Sequence, residues 1–77
     1  MLRLRNIKIK NNRAEADFYP EDSKTCGHVV VDLSSGEIIS AVEVPDYGAS
    51  YSGHARQRLV RMAKENDARP ECLVMWY

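Results

Sequence analysis

The chain has 77 residues, of which 44% are hydrophobic and 29% charged, and its formal net charge at pH 7 is zero. This composition is typical of a soluble globular domain and argues against a disordered chain. So short a chain hides only about 60% of its unfolded surface, so we predict a single small domain, residues 1–77, with a narrow margin of stability.

No segment predicts export or membrane insertion. The N-terminal segment MLRLRNIKIK places a charge at nearly every second residue and contains no uninterrupted apolar run. It therefore predicts neither a signal peptide nor a membrane span. Two cysteines in a chain without an export signal favour a reducing, cytoplasmic compartment.

The charges are segregated along the chain although they sum to zero. Residues 1–14 carry five basic and no acidic groups, residues 15–46 carry eight acidic groups and one lysine, and residues 47–77 carry five basic and three acidic groups. Neighbouring strands of opposite charge can pair across a sheet. Alternatively, a basic segment left uncovered forms a patch for an anionic partner. The sequence leaves both interpretations open.

Residues 2–10 and 13–19 predict a first β-hairpin that turns at Asn11 and Asn12, because asparagine tolerates the left-handed conformation of a two-residue turn. The resulting register pairs Ile9 with Ala14 and Ile7 with Ala16 on an apolar face, and Lys8 with Glu15 on the other face.

The apolar alternation slips within the first strand. Leu2 and Leu4 occupy even positions, whereas Ile7 and Ile9 occupy odd ones. A β-bulge around Arg5-Asn6 would restore a common face, since one extra residue reverses the facing of all that follow. We therefore predict a bulge there.

The strongest β signal is GHVVVDLSSGEIISAVEV, residues 27–44, with a turn at Ser34-Ser35-Gly36 where glycine supplies a positive φ. A three-residue loop pairs Leu33 with Glu37, Val31 with Ile39 and Val29 with Ala41, whereas a four-residue loop shifts these pairs by one. The sequence allows both. The reverse face of this hairpin is expected to carry Val30, Ile38 and Val42.

A helix follows the turn at Pro45 to Gly48. Either Ser50 or Ser52 can cap its start, and the helix should reach about Asn66. At 100° per residue, one stripe faces the core; its members are Tyr51, Ala55, Leu59, Met62 and Ala63. Residues 72–77 are apolar on both faces and predict a strand buried on both sides. The element order is ββββαβ, so we predict an α+β fold with one helix on a mainly antiparallel sheet of about five strands.

Candidate chemistry is sparse. Cys26, His28, His54 and Cys72 are metal-ligand types, but their spacing lacks the close pairs on tight turns of structural zinc sites. Cys26 and His28 also lack an oxyanion-hole pattern for nucleophilic catalysis. We therefore expect no catalytic, cofactor-binding or metal-binding residues.

Two hypotheses of function remain. We expect a non-catalytic protein-interaction module that forms a homodimer, because one helix cannot cover both faces of the sheet and exposed apolar patches mark interfaces. The expected self-association face consists of Val30, Ile38, Val42, Val74 and Trp76.

The alternative is a nucleic-acid-binding accessory protein. It would use the basic first strand, Arg3, Arg5, Lys8 and Lys10, together with the helical basic residues Arg56, Arg58, Arg61 and Lys64. The sequence disfavours it, because the first strand contains no interleaved aromatic residue and the sequence pI is near 6.7.

Overall fold

The structure, a computed structural model, describes residues 1–75. Its elements are β1 (Leu2–Lys10), β2 (Arg13–Pro20), β3 (Gly27–Asp32), β4 (Glu37–Val42), α1 (Ser50–Lys64) and β5 (Cys72–Val74). All neighbouring strands are antiparallel, in the order β4-β3-β2-β1-β5, and α1 packs on one face, mainly over β2 and β3. The α+β fold with ββββαβ order is confirmed.

The core lies between this face of the sheet and the helix. Alternate residues of the central strands are buried there because successive side chains in a strand point to opposite faces. Phe18 is its largest member, and its ring lies over Gly27, which is its cross-strand neighbour. The other fully or nearly fully buried apolar residues are Leu2, Leu4, Ala14, Ala16, Val29, Val31, Val44, Ala55, Leu59, Met62 and Val74.

The first hairpin follows the predicted pairing at its turn, with Ile9 opposite Ala14 and Lys8 opposite Glu15. Asn11 and Asn12 both have a positive φ, as a tight turn of asparagines requires. The register shifts between Arg5 and Lys8.

The predicted bulge in β1 is confirmed. Asn6 has a φ of 54°, within the register shift. As a result Leu2 and Leu4 are buried on the same face toward which Ile7 and Ile9 pack. The expected pairing of Ile7 with Ala16 does not occur, because the extra residue lies at this point.

The second hairpin combines the two registers that the sequence allowed. Gly36 has a φ of 76°, and Asp32 pairs with Glu37, so the loop has the four residues 33–36. Val31 pairs with Ile38, but Val29 still pairs with Ala41, because Ile39 is an extra, bulged residue. Ile38 therefore lies on the helix side of the sheet with buried Val31, and its expected place on the reverse face is wrong.

Helix α1 begins at Ser50, and no side chain caps its start. The expected cap by Ser50 or Ser52 is therefore wrong. Ser52 is instead buried within the first turn, where its hydroxyl donates to Glu43 Oε2 at 2.9 Å. The stripe that faces the sheet consists of Ser52, Ala55, Leu59 and Met62. Tyr51 and Ala63, which the sequence placed in it, are only partly buried.

The last strand is shorter and more exposed than expected. β5 comprises three residues at the sheet edge beside β1, and Leu73 is 48% exposed. Val74 is only 6% exposed and pairs with buried Leu2, so it belongs to the core and cannot serve as an exposed association face. Trp76, the other terminal residue of that expected face, lies outside the described residues.

Candidate functional site: the open face and free edge of the sheet

The sheet face opposite α1, here called the open face, is covered by no element among residues 1–75. Cross-strand neighbours arrange its side chains in four rows. These rows are Leu73, Arg3 and Tyr19; Arg5, Asp17, His28 and Val42; Lys8, Glu15, Val30 and Ser40; and Lys10, Arg13, Asp32 and Glu37. The open face is therefore basic along β1, mainly acidic along β2 and β3, and carries Val42, Ser40 and Glu37 along β4.

Five cations line the β1 side of the open face, and we call them the basic stripe: Arg3, Arg5, Lys8, Lys10 and Arg13. None of them forms an ion pair within 4 Å with any residue in the range 1–75. The bulge at Asn6 makes the stripe continuous, because it brings odd-numbered Arg3 and Arg5 to the same face as even-numbered Lys8 and Lys10.

Tyr19 extends the stripe with an aromatic ring. It lies opposite Arg3, and the guanidinium carbons of Arg3 and Arg5 lie 5.1 and 5.5 Å from the ring centroid, within cation–π range. Arg3 Nη2 also donates to the Ser23 carbonyl oxygen at 2.7 Å, which fixes this guanidinium. A hydrogen bond with Cys26 raises the pKa of the Tyr19 hydroxyl.

The carboxylates next to the stripe, Asp17 and Glu15, contact Asn6 and His28. Asp17 accepts from Asn6 Nδ2 at 2.9 Å and lies 2.7 Å from His28 Nδ1. These hydrogen bonds, that of Asn6 first, lower the pKa of the Asp17 carboxyl below its ordinary value, against an opposing effect of burial. Glu15 lies 3.6 Å from His28 Nε2. Asp17 thus bridges Asn6 of β1 and His28 of β3, Glu15 lies near His28, and neither carboxylate forms an ion pair with the basic stripe within 4 Å.

The opposite edge of the sheet is free. No strand in residues 1–75 pairs with the outer side of β4, and all six of its residues are exposed. Ile39 is 48% and Val42 66% exposed, and the strand contains neither lysine nor proline. Natural proteins usually guard such edges with those residues, so an apolar free edge predicts a partner.

Two charged side chains flank this edge on the helix side. Arg56 Nη1 donates to the Gly36 carbonyl oxygen at 3.0 Å, just before β4 begins. Glu43 follows the end of β4 and accepts from Ser52. Sequence reasoning missed the roles of Arg56, Glu43 and Ile39 at this edge, because they depend on the bulge and on how α1 crosses the sheet.

The two basic sets predicted from sequence do not combine. The basic stripe lies on the open face, whereas the helical set lies on the opposite layer of the molecule. That set is itself divided, since Arg56 contacts the loop before β4 whereas Arg58 and Arg61 border a groove beside Val74. Arg61 forms an ion pair with Glu65 at 3.3 Å.

The candidate metal ligands and nucleophiles also lie apart. Cys26 is exposed and associates with Tyr19, and His28 lies between two carboxylates. Cys72 contacts Met62 Sδ at 3.9 Å on the helix side, and burial raises the pKa of its thiol. Across residues 1–75, no three histidine, cysteine or acidic side chains converge to hold a metal ion.

A small groove of about 310 Å³ lies between the second half of β1 and the C-terminal end of α1. Ile7, Ile9 and Met62 line its floor, and Asp67 borders it. Arg69 holds the Asp67 carboxylate at 2.7 Å and lowers its pKa. The groove thus presents apolar walls and an already paired carboxylate, which is a packing feature and not an arrangement of acid, base and nucleophile.

Comparisons with protein-family models, with curated proteins and with solved structures found no significant match. Within residues 1–75, no helix is both long and apolar enough to span a bilayer.

Proposed function

We propose that this protein is a non-catalytic interaction module of a reducing, cytoplasmic compartment, and that its first partner is a second copy of itself, paired antiparallel through β4. The observation that carries the proposal is the free edge of β4, whose apolar residues Ile38, Ile39 and Val42 are 36%, 48% and 66% exposed. Pairing this edge would join two sheets into one and remove the exposed apolar side chains from water.

The bulge at Ile39 selects the register of such a pair. Residues directly opposite in an antiparallel pair must face the same side of the sheet. Glu37 and Val42 both face the open side, and Ile38 and Ala41 both face the helix side. A two-fold axis between Ile39 and Ser40 therefore places side chains of the same face opposite each other on both sides of the bulge. A register shifted by one residue places side chains of different faces opposite each other.

Charge complementarity favours the same register. This register places Glu37 opposite Val42 of the partner subunit, so the carboxylates of Glu37 and Glu43 are not directly opposite each other. It also places Gly36 opposite Glu43 of the partner subunit. Because Arg56 donates to the Gly36 carbonyl, its guanidinium would lie beside that carboxylate, and symmetry repeats the pair. Like charges placed directly opposite would instead destabilise the dimer.

The interface is small, so the dimer should be of moderate affinity. β4 offers six residues, fewer than the roughly 20–30 per side of a standard interface. We expect a dissociation constant in the micromolar range, which sedimentation equilibrium measures directly.

Three variants test the proposal. Ile39→Lys introduces an edge-blocking charge and should raise the dimer dissociation constant at least tenfold, about 1.4 kcal/mol. Arg56→Glu should weaken the dimer, and Arg56→Glu combined with Glu43→Arg should restore it because the pair is reversed. Lys64→Glu, an equal charge change on an exposed helical residue, is the matched control. A wild-type monomer at millimolar concentration, or equal dimer strength in all variants, would refute the proposal.

A further inference from the structure

The basic stripe and Tyr19 form a second surface, at the opposite side of the sheet from β4. We propose that this surface binds the sugar–phosphate backbone of a single-stranded nucleic acid, with a base stacked on the Tyr19–arginine cluster. The inference is independent of self-association, because it uses β1 and β2 and leaves the β4 edge uncovered.

The first argument is charge. Four cations follow β1 and Arg13 of β2 lies beside Lys10, and none of the five has an ion-pair partner within 4 Å among the described residues. From Arg3 to Lys10 the strand covers about 23 Å at roughly 3.3 Å per residue, which suits a linear polyanion better than a single phosphate. Binding of such a backbone releases its counterions, which is the main driving force for sequence-independent recognition.

The second argument is the fate of the nearby carboxylates. Glu15 and Asp17 are the cross-strand neighbours of Lys8 and Arg5, and pairing with them would neutralise the stripe. Instead Asp17 accepts from Asn6 and contacts His28, and Glu15 is nearest to His28. The cationic groups of the stripe therefore stay free to contact a ligand, although neighbouring carboxylates share the open face.

The third argument is a prepared stacking site. Proteins that bind single strands stack bases on aromatic rings and on arginine guanidinium planes. Here Arg3 is fixed by both the Ser23 carbonyl and the Tyr19 ring, and Arg5 contacts the same ring. Their order is set before the ligand arrives, which lowers the entropy cost of binding. A duplex, whose bases are already stacked on one another, cannot use this site.

The test is fluorescence anisotropy with a labelled oligouridylate of about ten nucleotides, a length suited to a single small domain. At about 50 mM salt we expect a dissociation constant in the range of roughly 1–100 μM, rising steeply with salt. The double variant Arg5→Gln, Lys8→Gln should bind at least tenfold more weakly and reduce the log–log salt slope by about 1.4. The matched control, Arg61→Gln with Lys64→Gln, removes two cations from the helix layer and should leave binding unchanged.

Stacking is tested separately from charge. Tyr19→Leu should weaken binding roughly 5- to 150-fold, the range for loss of one stacked base, whereas Tyr19→Phe keeps the ring and should retain binding. A duplex of the same length and a polyglutamate chain test whether the surface is specific for single-stranded nucleic acid. The proposal is overturned if the oligouridylate shows no salt-dependent binding, if the duplex or polyglutamate binds as tightly, or if the helix variant loses as much affinity as the strand variant. Circular dichroism of each variant confirms that its fold is retained.

Discussion

Substituting alanine for Gly27 and, separately, for Gly53 adds one methyl group at each position and tests how tightly that position is packed. A Cβ at Gly27 would meet the Val42 carbonyl oxygen and the Phe18 ring, with Phe18 Cε1 at 2.8 Å. Neither can withdraw freely, since the carbonyl belongs to β4 and the ring is buried in the core. Overpacking of this kind costs about 1–3 kcal/mol, so Gly27→Ala should destabilise the protein by that amount.

Gly53→Ala should have the opposite effect. Gly53 lies inside α1, nothing lies within 4 Å of its added Cβ, and its φ is not positive. Alanine is favoured over glycine in a helix by about 0.8–1 kcal/mol, so this variant should be more stable. Both substitutions restrict the unfolded chain in the same way, so this effect cancels when the two variants are compared.

Urea and thermal unfolding followed by far-UV circular dichroism measure both effects. With an unfolding entropy of about 2.1 cal/mol/K per residue, 1 kcal/mol shifts the Tm of a chain of this size by roughly 6 °C. Gly27→Ala should then lower Tm by roughly 6–18 °C, and Gly53→Ala should raise it by roughly 5–6 °C. All samples are compared at one protein concentration, because a dimer makes Tm depend on concentration. The packing argument fails if the stabilities of the two variants lie within 0.5 kcal/mol of each other, which is about the limit for inert surface substitutions.

Three further predictions concern local structure, each measured by urea unfolding. The pKa of the Asp17 carboxyl is lowered in the folded state, so the ionised carboxylate stabilises the fold above the unfolded pKa near 3.9, and this stabilisation is lost as the pH falls through the lowered pKa. The wild-type protein should therefore lose more stability below about pH 4 than the Asp17→Asn variant. Equal losses would contradict this. Asn6→Val should cost about 1–2 kcal/mol more than Asn6→Gly, because φ is 54° there; the reverse order would be inconsistent with the bulge. Ser52→Val removes the hydrogen bonding of a buried hydroxyl to Glu43 and the Ala49 carbonyl and should cost about 0.5–1.5 kcal/mol, whereas Ser50→Val at an exposed position should cost little; similar losses would show that the buried hydroxyl does not matter.

Local sequence patterns predicted most of the fold. The turn asparagines, Gly36 and the phase slip around Asn6 each have a local physical cause, namely a positive φ or the alternation of strand side chains. These features could therefore be found by inspection. The helix stripe was also largely predictable, since three of its four buried residues follow from the 3.6-residue period.

The register of β4 could not be predicted in the same way. Ile38 and Ile39 are adjacent and equally apolar, so either fits the helix side of the sheet. Only the four-residue loop, together with the bulge, decides that Ile38 faces that side. The expected place of Ile38 on the reverse face was therefore wrong, and the short edge strand buries Val74 in the core.

Tyr19 shows how one residue of register changes a functional interpretation. Continuing the turn register without a bulge would place Tyr19 opposite Leu4, with Leu4 turned to the open face, and Arg3 opposite Pro20 on the core side. The bulge at Asn6 adds one residue to β1 and places Tyr19 opposite Arg3 instead. The phase slip in β1 and the presence of Tyr19 in β2 are both visible in the sequence. Because β1 itself contains no aromatic residue, the pairing of Tyr19 with Arg3 was not recognised from the sequence.

The same bulge ties the core to the basic stripe. Leu2 and Leu4 can share a face with Ile7 and Ile9 only if one residue between them is extra, and the cations between these apolar positions then share the other face. Any change that removed the bulge would turn either the leucines or the isoleucines toward solvent and divide the cations between the two faces. The stability of the core therefore fixes the continuity of the stripe, so β1 presents four aligned cations, with Arg13 of β2 beside the last of them.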